Sequence, residues 1–235
     1  MELTTPQLGR GWQYATYFAL SLVALIFVVV LLPSSSAYFR RFFGKMNAII
    51  VTVVAAILGA VSLWVLQSHY EFTLFRGGMT LRGIVLSAAF ATVLGVAIVV
   101  ADLIIRYPQD TNVPVPQALL FYPAVGFVAE IVFHILPLTL LLFVLSPLEG
   151  RLGSERIVWL SIVLVAVVEP TFQVLFGEKA FTWGAVYTWV HVFAIAFLQL
   201  YVFRRFDFVS MYSFRLFYYA YWHILWGVIR LKVLF

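Results

Sequence analysis

The sequence of 235 residues contains no cysteine, and only 11% of its residues are charged. The lack of cysteine excludes disulfide bonds, thiolate metal sites and cysteine-based catalysis. The shortage of charge argues against a soluble protein, because an average soluble domain carries about a quarter charged residues. Hydrophobic residues make up 64% of the chain, more than the interior of a soluble protein of this size can bury. The composition therefore predicts an integral membrane protein.

A single basic patch is also missing, although the net charge is +5. The 15 lysines and arginines lie scattered between apolar segments, whereas a nucleic-acid-binding domain gathers them on one face. We therefore expect no nucleic-acid partner. Anionic lipid headgroups account better for these cations, so the lipid bilayer is the predicted partner. The predicted location is the cell (inner) membrane, crossed several times.

Apolar runs of about 20 residues, the length that crosses a bilayer as an α-helix, occur seven times. They cover residues 13–32, 47–66, 83–105, 117–146, 157–176, 182–203 and 209–229. The connections are short, and neither a soluble domain nor an internal repeat is evident. We predict one all-α domain over residues 1–235, a polytopic transmembrane helical bundle of seven spans, with six to eight as the range.

Ionisable residues near the middle of the predicted spans are the candidates for function. They are Glu130, His134, Glu169, His191 and His223. A charged side chain at the bilayer centre costs about 2.5 to 3.5 kcal/mol, so such groups are expected to face the bundle, pair with each other or stay neutral. They also mark functional sites in membrane proteins.

Glu130 and His134 lie four positions apart in FYPAVGFVAEIVFHILPLTLLL and therefore share one face of a helix. They form either a hydrogen-bonded pair that joins helices or part of a functional site. With Glu169 and His223 the chain also offers enough ligands for a divalent metal ion. The stronger zinc-binding sequence, H-E-x-x-H, is absent. No other cofactor is predicted.

The remaining polar residues in the spans each have a structural alternative. Glu169 precedes Pro170, so its carboxylate could serve backbone donors that the proline frees. His191 has no motif around it, which favours a packing role over proton transfer. His223 lies among aromatic residues typical of a membrane interface. Arg215, two turns before it, either reaches outward or neutralises a glutamate.

Two protease signatures are missing, since the sequence has neither G-x-S-x-G nor a pair of intramembrane aspartates. The segments AEIVFH, VAVVE and HILWG remain, at residues 129–134, 165–169 and 223–227. Together they resemble the CPBP family, the CAAX-protease and bacteriocin-processing membrane proteins, over residues 117–230. The family motifs are E-E-x-x-x-R, then F-x-x-x-H, then H-x-x-x-N or D.

This resemblance implies a membrane peptidase. Its first-motif glutamates and second-motif histidine would activate water, and its third-motif histidine with Asn or Asp would stabilise the oxyanion. The chain departs from the pattern at four of the six positions, which carry Ala129, His134, Glu169 and Gly227. Glu130 and His223 match.

Three functions follow as expectations. The favoured one is a catalytically degenerate CPBP-like protein, a pseudoenzyme that acts as a membrane scaffold, a substrate-binding protein or a subunit of a membrane-protein complex. The first alternative is an active intramembrane endopeptidase that cleaves a membrane-bound peptide. Glu130 would then be the general base and His223 the oxyanion or water-orienting partner, with His134 and Glu169 completing the cluster. The second alternative is a proton-coupled transporter.

Overall fold

The computed structural model describes residues 9–177 and 182–235, and within these ranges the chain forms helices and no strand. Seven long helical segments follow one another. The first three are α1, Arg10–Phe43, α2, Ala48–His69, and α3, Gly78–Ile105. The next three are α4, Ala118–Leu152, α5, Ser154–Phe176, and α6, Trp183–Arg205. The last, α7, runs from residue 208 to residue 233.

Helices α1 to α6 are long and apolar enough to cross a membrane. They confirm the predicted all-helical, multi-pass bundle, and their apolar outer surfaces indicate a lipid bilayer as the environment. The seventh helix, α7, is more polar, yet it packs against α3, α4 and α6 inside the bundle. Its aromatic side chains Phe214, Tyr218 and Trp222 belong to one of the hydrophobic cores.

Two helices are interrupted by π-helical segments, in which each backbone N–H bonds five residues back instead of four. In α4 the segment is Glu130–Ile135, and in α7 it is Ala220–Leu225. Single π-helical turns occur frequently at functional sites. The two segments contain three of the four predicted site residues, Glu130, His134 and His223.

Consecutive helices run in alternating directions, so the loops divide between two faces of the bundle. Face A comprises loops 70–77 and 206–207, and face B comprises loops 44–47 and 106–117. On face A, Arg204 donates a 2.7 Å hydrogen bond to the carbonyl oxygen of Tyr70. On face B, Arg41 donates a 2.5 Å hydrogen bond to the carbonyl oxygen of Asp110. These contacts place the ends of α2 and α6 together, and the end of α1 beside the loop after α3.

Candidate functional site

Five polar side chains from four helices meet in the interior and form what we name the polar centre. They are Glu130 and His134 of α4, Glu169 of α5, Gln199 of α6 and Arg215 of α7. The most accessible of them, Glu169, is 4% exposed, and three are fully buried. The polar centre is therefore shielded from both water and lipid.

Arg215 lies between the two carboxylates of the polar centre. Its Nη1 and Nη2 donate to the two oxygens of Glu169 at 3.0 and 2.8 Å, and its Nε donates to Glu130 Oε1 at 2.6 Å. Such two-pronged pairing is the geometry in which arginine binds carboxylates most strongly. Gly126 makes room for the arginine, because a Cβ atom there would lie 3.2 Å from Arg215 Cδ. Of the two roles predicted for Arg215, the structure shows the neutralising one.

The predicted pair of Glu130 and His134 is present. Glu130 Oε2 and His134 Nδ1 are 2.6 Å apart, within hydrogen-bond distance. Glu130 Oε1 also accepts a hydrogen bond from Gln199 Nε2, and Gln199 Oε1 accepts one from Arg215 Nη2 at 3.3 Å. Every side chain of α4, α6 and α7 in the polar centre is therefore bonded to at least one of the others.

Glu169 serves the arginine rather than the backbone donors near Pro170. Besides Arg215, it accepts a hydrogen bond from Gln173 Nε2 at 3.2 Å. His134 Nε2 lies 3.4 Å from Glu169 Oε2, is buried, and makes no hydrogen bond. The histidine ring thus stands between two carboxylates, bonded to one and close to the other.

His223 lies outside the polar centre. Its Nδ1 is 2.8 Å from Asn112 Oδ1, and its ring stacks on Tyr122 with 4.3 Å between ring centroids. In the described part of the chain, no hydrogen bond or ion pair joins His223 to the glutamates of the polar centre. The connection is indirect. The ring of Tyr219 contacts His223, and its hydroxyl accepts a 3.1 Å hydrogen bond from Arg215.

His191 has the packing environment that its sequence context favoured. Its Nε2 lies 3.0 Å from the hydroxyl oxygen of Tyr218, and its Nδ1 lies 3.5 Å from that of Tyr187. The bond to Tyr218 ties α6 to α7, the bond to Tyr187 lies within α6, and neither joins His191 to the polar centre.

The polar centre is poorly arranged to bind a metal ion. Across residues 9–177 and 182–235, no group of three or more histidine, aspartate and glutamate side chains could hold one. The physical reason is Arg215, whose guanidinium group occupies the position between Glu130 and Glu169 that a cation would take.

A second buried ion pair, between Asp102 and Arg230, was not predicted. Arg230 Nε and Nη2 donate to the two oxygens of Asp102 at 2.7 and 2.9 Å, and both side chains are fully buried. Asp102 also accepts a 2.7 Å hydrogen bond from Trp226 Nε1. Sequence gave no sign of this pair, because the partner of Asp102 lies four helices further along the chain.

Gln199 and Asn112 were also missed. Gln199 stands alone in the apolar run FAIAFLQLYVF, which is a usable signal for a buried polar contact. Asn112 lies in a loop 111 residues before His223, and nothing local to either residue indicates their contact.

Comparisons of the chain with protein-family models, with curated proteins and with solved structures gave no match.

Proposed function

We propose that this chain is a catalytically degenerate CPBP-like protein of the cell membrane that acts as a scaffold, a substrate-binding protein or a subunit of a membrane complex. In this proposal the polar centre holds α4, α5, α6 and α7 in one arrangement and cleaves no peptide. The observation that carries it is the position of Arg215, which is bonded to both intramembrane glutamates.

The contacts of Glu130 support a structural role. A general base must be within hydrogen-bond reach of the proton that it removes. Here both oxygens of Glu130 already accept hydrogen bonds or lie against protein donors, from Arg215, Gln199 and His134. A hydrolytic role for Glu130 would require one of these partners to leave so that water could take its place.

The position of His223 supports the same proposal. An oxyanion-stabilising group has to act on the same carbonyl that the general base attacks through water. His223 is bonded to Asn112 and is separated from Glu130 by Tyr219 and Arg215. The two residues that match the family motifs therefore face different surroundings.

Buried ion pairs are suited to specifying one arrangement of helices. Removing one partner costs about 3 to 5 kcal/mol, while replacing the whole group with uncharged side chains of similar volume is often neutral or stabilising. This asymmetry separates a structural network from a catalytic one, because a catalytic network fails under either change.

The test uses the triple variant Glu130→Gln/Glu169→Gln/Arg215→Met, expressed in cells that lack the native gene. We expect this variant to reach normal abundance and to restore the phenotype and partner association of the native chain, while Arg215→Met alone fails. A control is Glu155→Gln, which removes the exposed carboxylate of an ion pair on face A, keeps the hydrogen bond from Arg204 to Tyr70, and should behave like the native chain. An abundant triple variant that restores nothing would show that the glutamates perform chemistry and would overturn the proposal.

One observation favours the proton-coupled alternative. His134 Nε2 is buried without a hydrogen bond and lies 3.4 Å from Glu169 Oε2, an arrangement suited to passing a proton between two side chains. Purified chain in liposomes containing a pH-sensitive dye tests it. A proton flux that His134→Gln abolishes supports transport, and equal flux in liposomes with and without protein removes this alternative.

A further inference from the structure

The loop between α3 and α4, residues 106–117, lies across the face-B end of α7. Arg230 of α7 donates to the carbonyl oxygens of Tyr107 at 2.6 Å and Pro108 at 2.9 Å. Because Arg230 is fully buried and paired with Asp102, it fixes the first part of the loop. The later part, around Asn112, is held instead by side chains of α1, α4 and α7.

Asn112 of this loop packs its side chain against α7. Its Oδ1 is bonded to His223, while its Nδ2 is buried and has no hydrogen-bond partner. Gly227 provides the space, since a Cβ atom there would lie 2.9 Å from Asn112 Nδ2 and 3.3 Å from Asn112 Cβ. The Asn112 side chain is thus closely packed against Gly227, but its Nδ2 group lacks the hydrogen bond that water would supply.

From Asn112, a row of polar side chains on α7 continues into the bundle. Arg215, Tyr219 and His223 follow at intervals of four on one face of α7, and Gly227 is next. Tyr219 contacts His223 through its ring and Arg215 through its hydroxyl oxygen. We name these three side chains the polar file. It leads from the loop to the polar centre, and Asn112 is bonded to its outer member, His223, which is partly buried.

We propose that residues 110–113 of this loop form a lid that opens the polar file to water from face B. Opening gives Asn112 Nδ2 a water partner, which offsets part of the lost contacts. It breaks the exposed contacts of Arg41 with the carboxylate and the carbonyl oxygen of Asp110. It also breaks the hydrogen bond between Asn112 and His223, and the 2.7 Å hydrogen bond from Val113 N to the Tyr122 hydroxyl oxygen. This route to the interior does not depend on whether the polar centre is catalytic.

The lack of cysteine makes the proposal directly testable. Single variants Asn112→Cys, Gln109→Cys and Ala124→Cys are placed in nanodiscs, and their reaction with a hydrophilic maleimide is followed. Gln109 is exposed and Ala124 is fully buried, so cysteines at these positions give the reaction rates of an accessible and of an inaccessible thiol. We expect Asn112→Cys to react at an intermediate rate. Adding Asp110→Ala should accelerate it about 1.5- to 5-fold, the range that corresponds to loss of an exposed ion pair.

Arg40→Ala, which changes the exposed neighbour of Arg41, is the matched control and should leave the rate unchanged. A rate for Asn112→Cys equal to that of Gln109→Cys would show that the loop is not closed. A rate equal to that of Ala124→Cys, with and without Asp110→Ala, would show a fixed loop. Either result overturns the proposal.

A disulfide lock gives an independent measurement. Cβ atoms at positions 112 and 227 would be 3.3 Å apart, close to the separation of about 3.5 to 4.5 Å in disulfides. In Asn112→Cys/Gly227→Cys, oxidation should form the bond and slow deuterium uptake in the peptide covering residues 219–227. Equal uptake in the oxidised and reduced forms of this variant would contradict a lid.

Discussion

Arg215 governs the electrostatics of the membrane interior, because it is the positive charge that faces two buried carboxylates. Arg215→Met should lower the free energy of unfolding by about 3 to 5 kcal/mol, since it leaves Glu130 and Glu169 buried without their counter-ion. Denaturation of the purified protein in detergent measures this loss. The exposed control Arg40→Met should change stability by less than about 0.5 kcal/mol.

Combining Arg215→Met with Glu130→Gln and Glu169→Gln should recover most of the lost stability, because no uncompensated charge then remains. If the triple variant is less stable than Arg215→Met, the carboxylates must be stabilised by other groups. Arg215 would then not be the main counter-ion of the polar centre.

Asn112 and Gly227 are in close contact, and this contact can be tested by single substitutions. Gly227→Ala places a methyl group 2.9 Å from Asn112 Nδ2, so it should displace Asn112 and lower the free energy of unfolding by about 1 to 3 kcal/mol. Asn112→Ala removes the obstacle. The double variant should therefore lose less stability than the sum of the losses in the two single variants. A double-mutant cycle measures this difference. Strictly additive losses would show that the two positions do not contact each other.

The residue contacts differ in how far sequence could predict them. The pairing of Glu130 with His134 follows from helical periodicity, because a spacing of four fixes a shared face. The role of Arg215 was one of two alternatives, since sequence shows that an arginine lies at membrane depth but not which way it points. The contact between His223 and Asn112 depends on how a loop folds over a distant helix. Neither segment carries a local signal for it.

At the scale of whole elements, α3 and α7 approach each other closely where Gly83 faces Ser210. A Cβ atom at position 83 would lie 2.7 Å from Ser210 Cβ and 2.9 Å from Phe206 Cβ. Gly83→Ala should therefore separate the helices and cost about 1 to 3 kcal/mol of stability. It should also disturb the start of α7, where Asp207 accepts hydrogen bonds of 2.8 Å from Ser210 N and Oγ.

Gly78→Ala is the matched control for this change, because Gly78 is also in α3 and a methyl group added there would meet no described atom within 4 Å. Thermal unfolding in detergent compares the two variants. Alanine at position 78 should be neutral or stabilise by up to about 1 kcal/mol, as expected for glycine in a helix. Equal effects at positions 78 and 83 would show that the contact between α3 and α7 is looser than these distances indicate.

Apolar runs predicted the existence of the helices better than their ends. The first run ends at residue 32, close to a kink at Ser35, where the backbone of α1 is not helical, two residues after Pro33. Beyond the kink a second helical part, which the apolar run does not predict, continues to Phe43, and its Phe39 packs on Phe121. The two π-helical segments were not predicted. They depend on which side chains must meet inside the bundle, and an inserted residue in a helix leaves no compositional trace.

At the scale of the molecule, two buried ion-pair groups, one in the middle of the bundle and one near face B, connect α7 to other helices. Arg215 binds the glutamates of α4 and α5, and Arg230 binds Asp102 of α3 near face B. Both arginines are buried, so these ion pairs specify where α7 lies against α3, α4 and α5. Together with the buried aromatic side chains of α7, this pairing places a helix outside the six apolar candidates within the bundle rather than on its surface.

If α7 crosses the membrane as the other helices do, the two faces of the bundle lie on opposite sides of the bilayer. Single variants Glu71→Cys and Arg205→Cys on face A, and Lys45→Cys and Leu234→Cys on face B, test this in sealed vesicles. A membrane-impermeant maleimide should label one pair from outside and the other pair only after the vesicles are opened, because no thiol competes in this cysteine-free chain. Labelling of Leu234→Cys together with Glu71→Cys would mean that α7 turns back within the membrane. Arg215 would then bind the glutamates from a helix that does not cross the membrane.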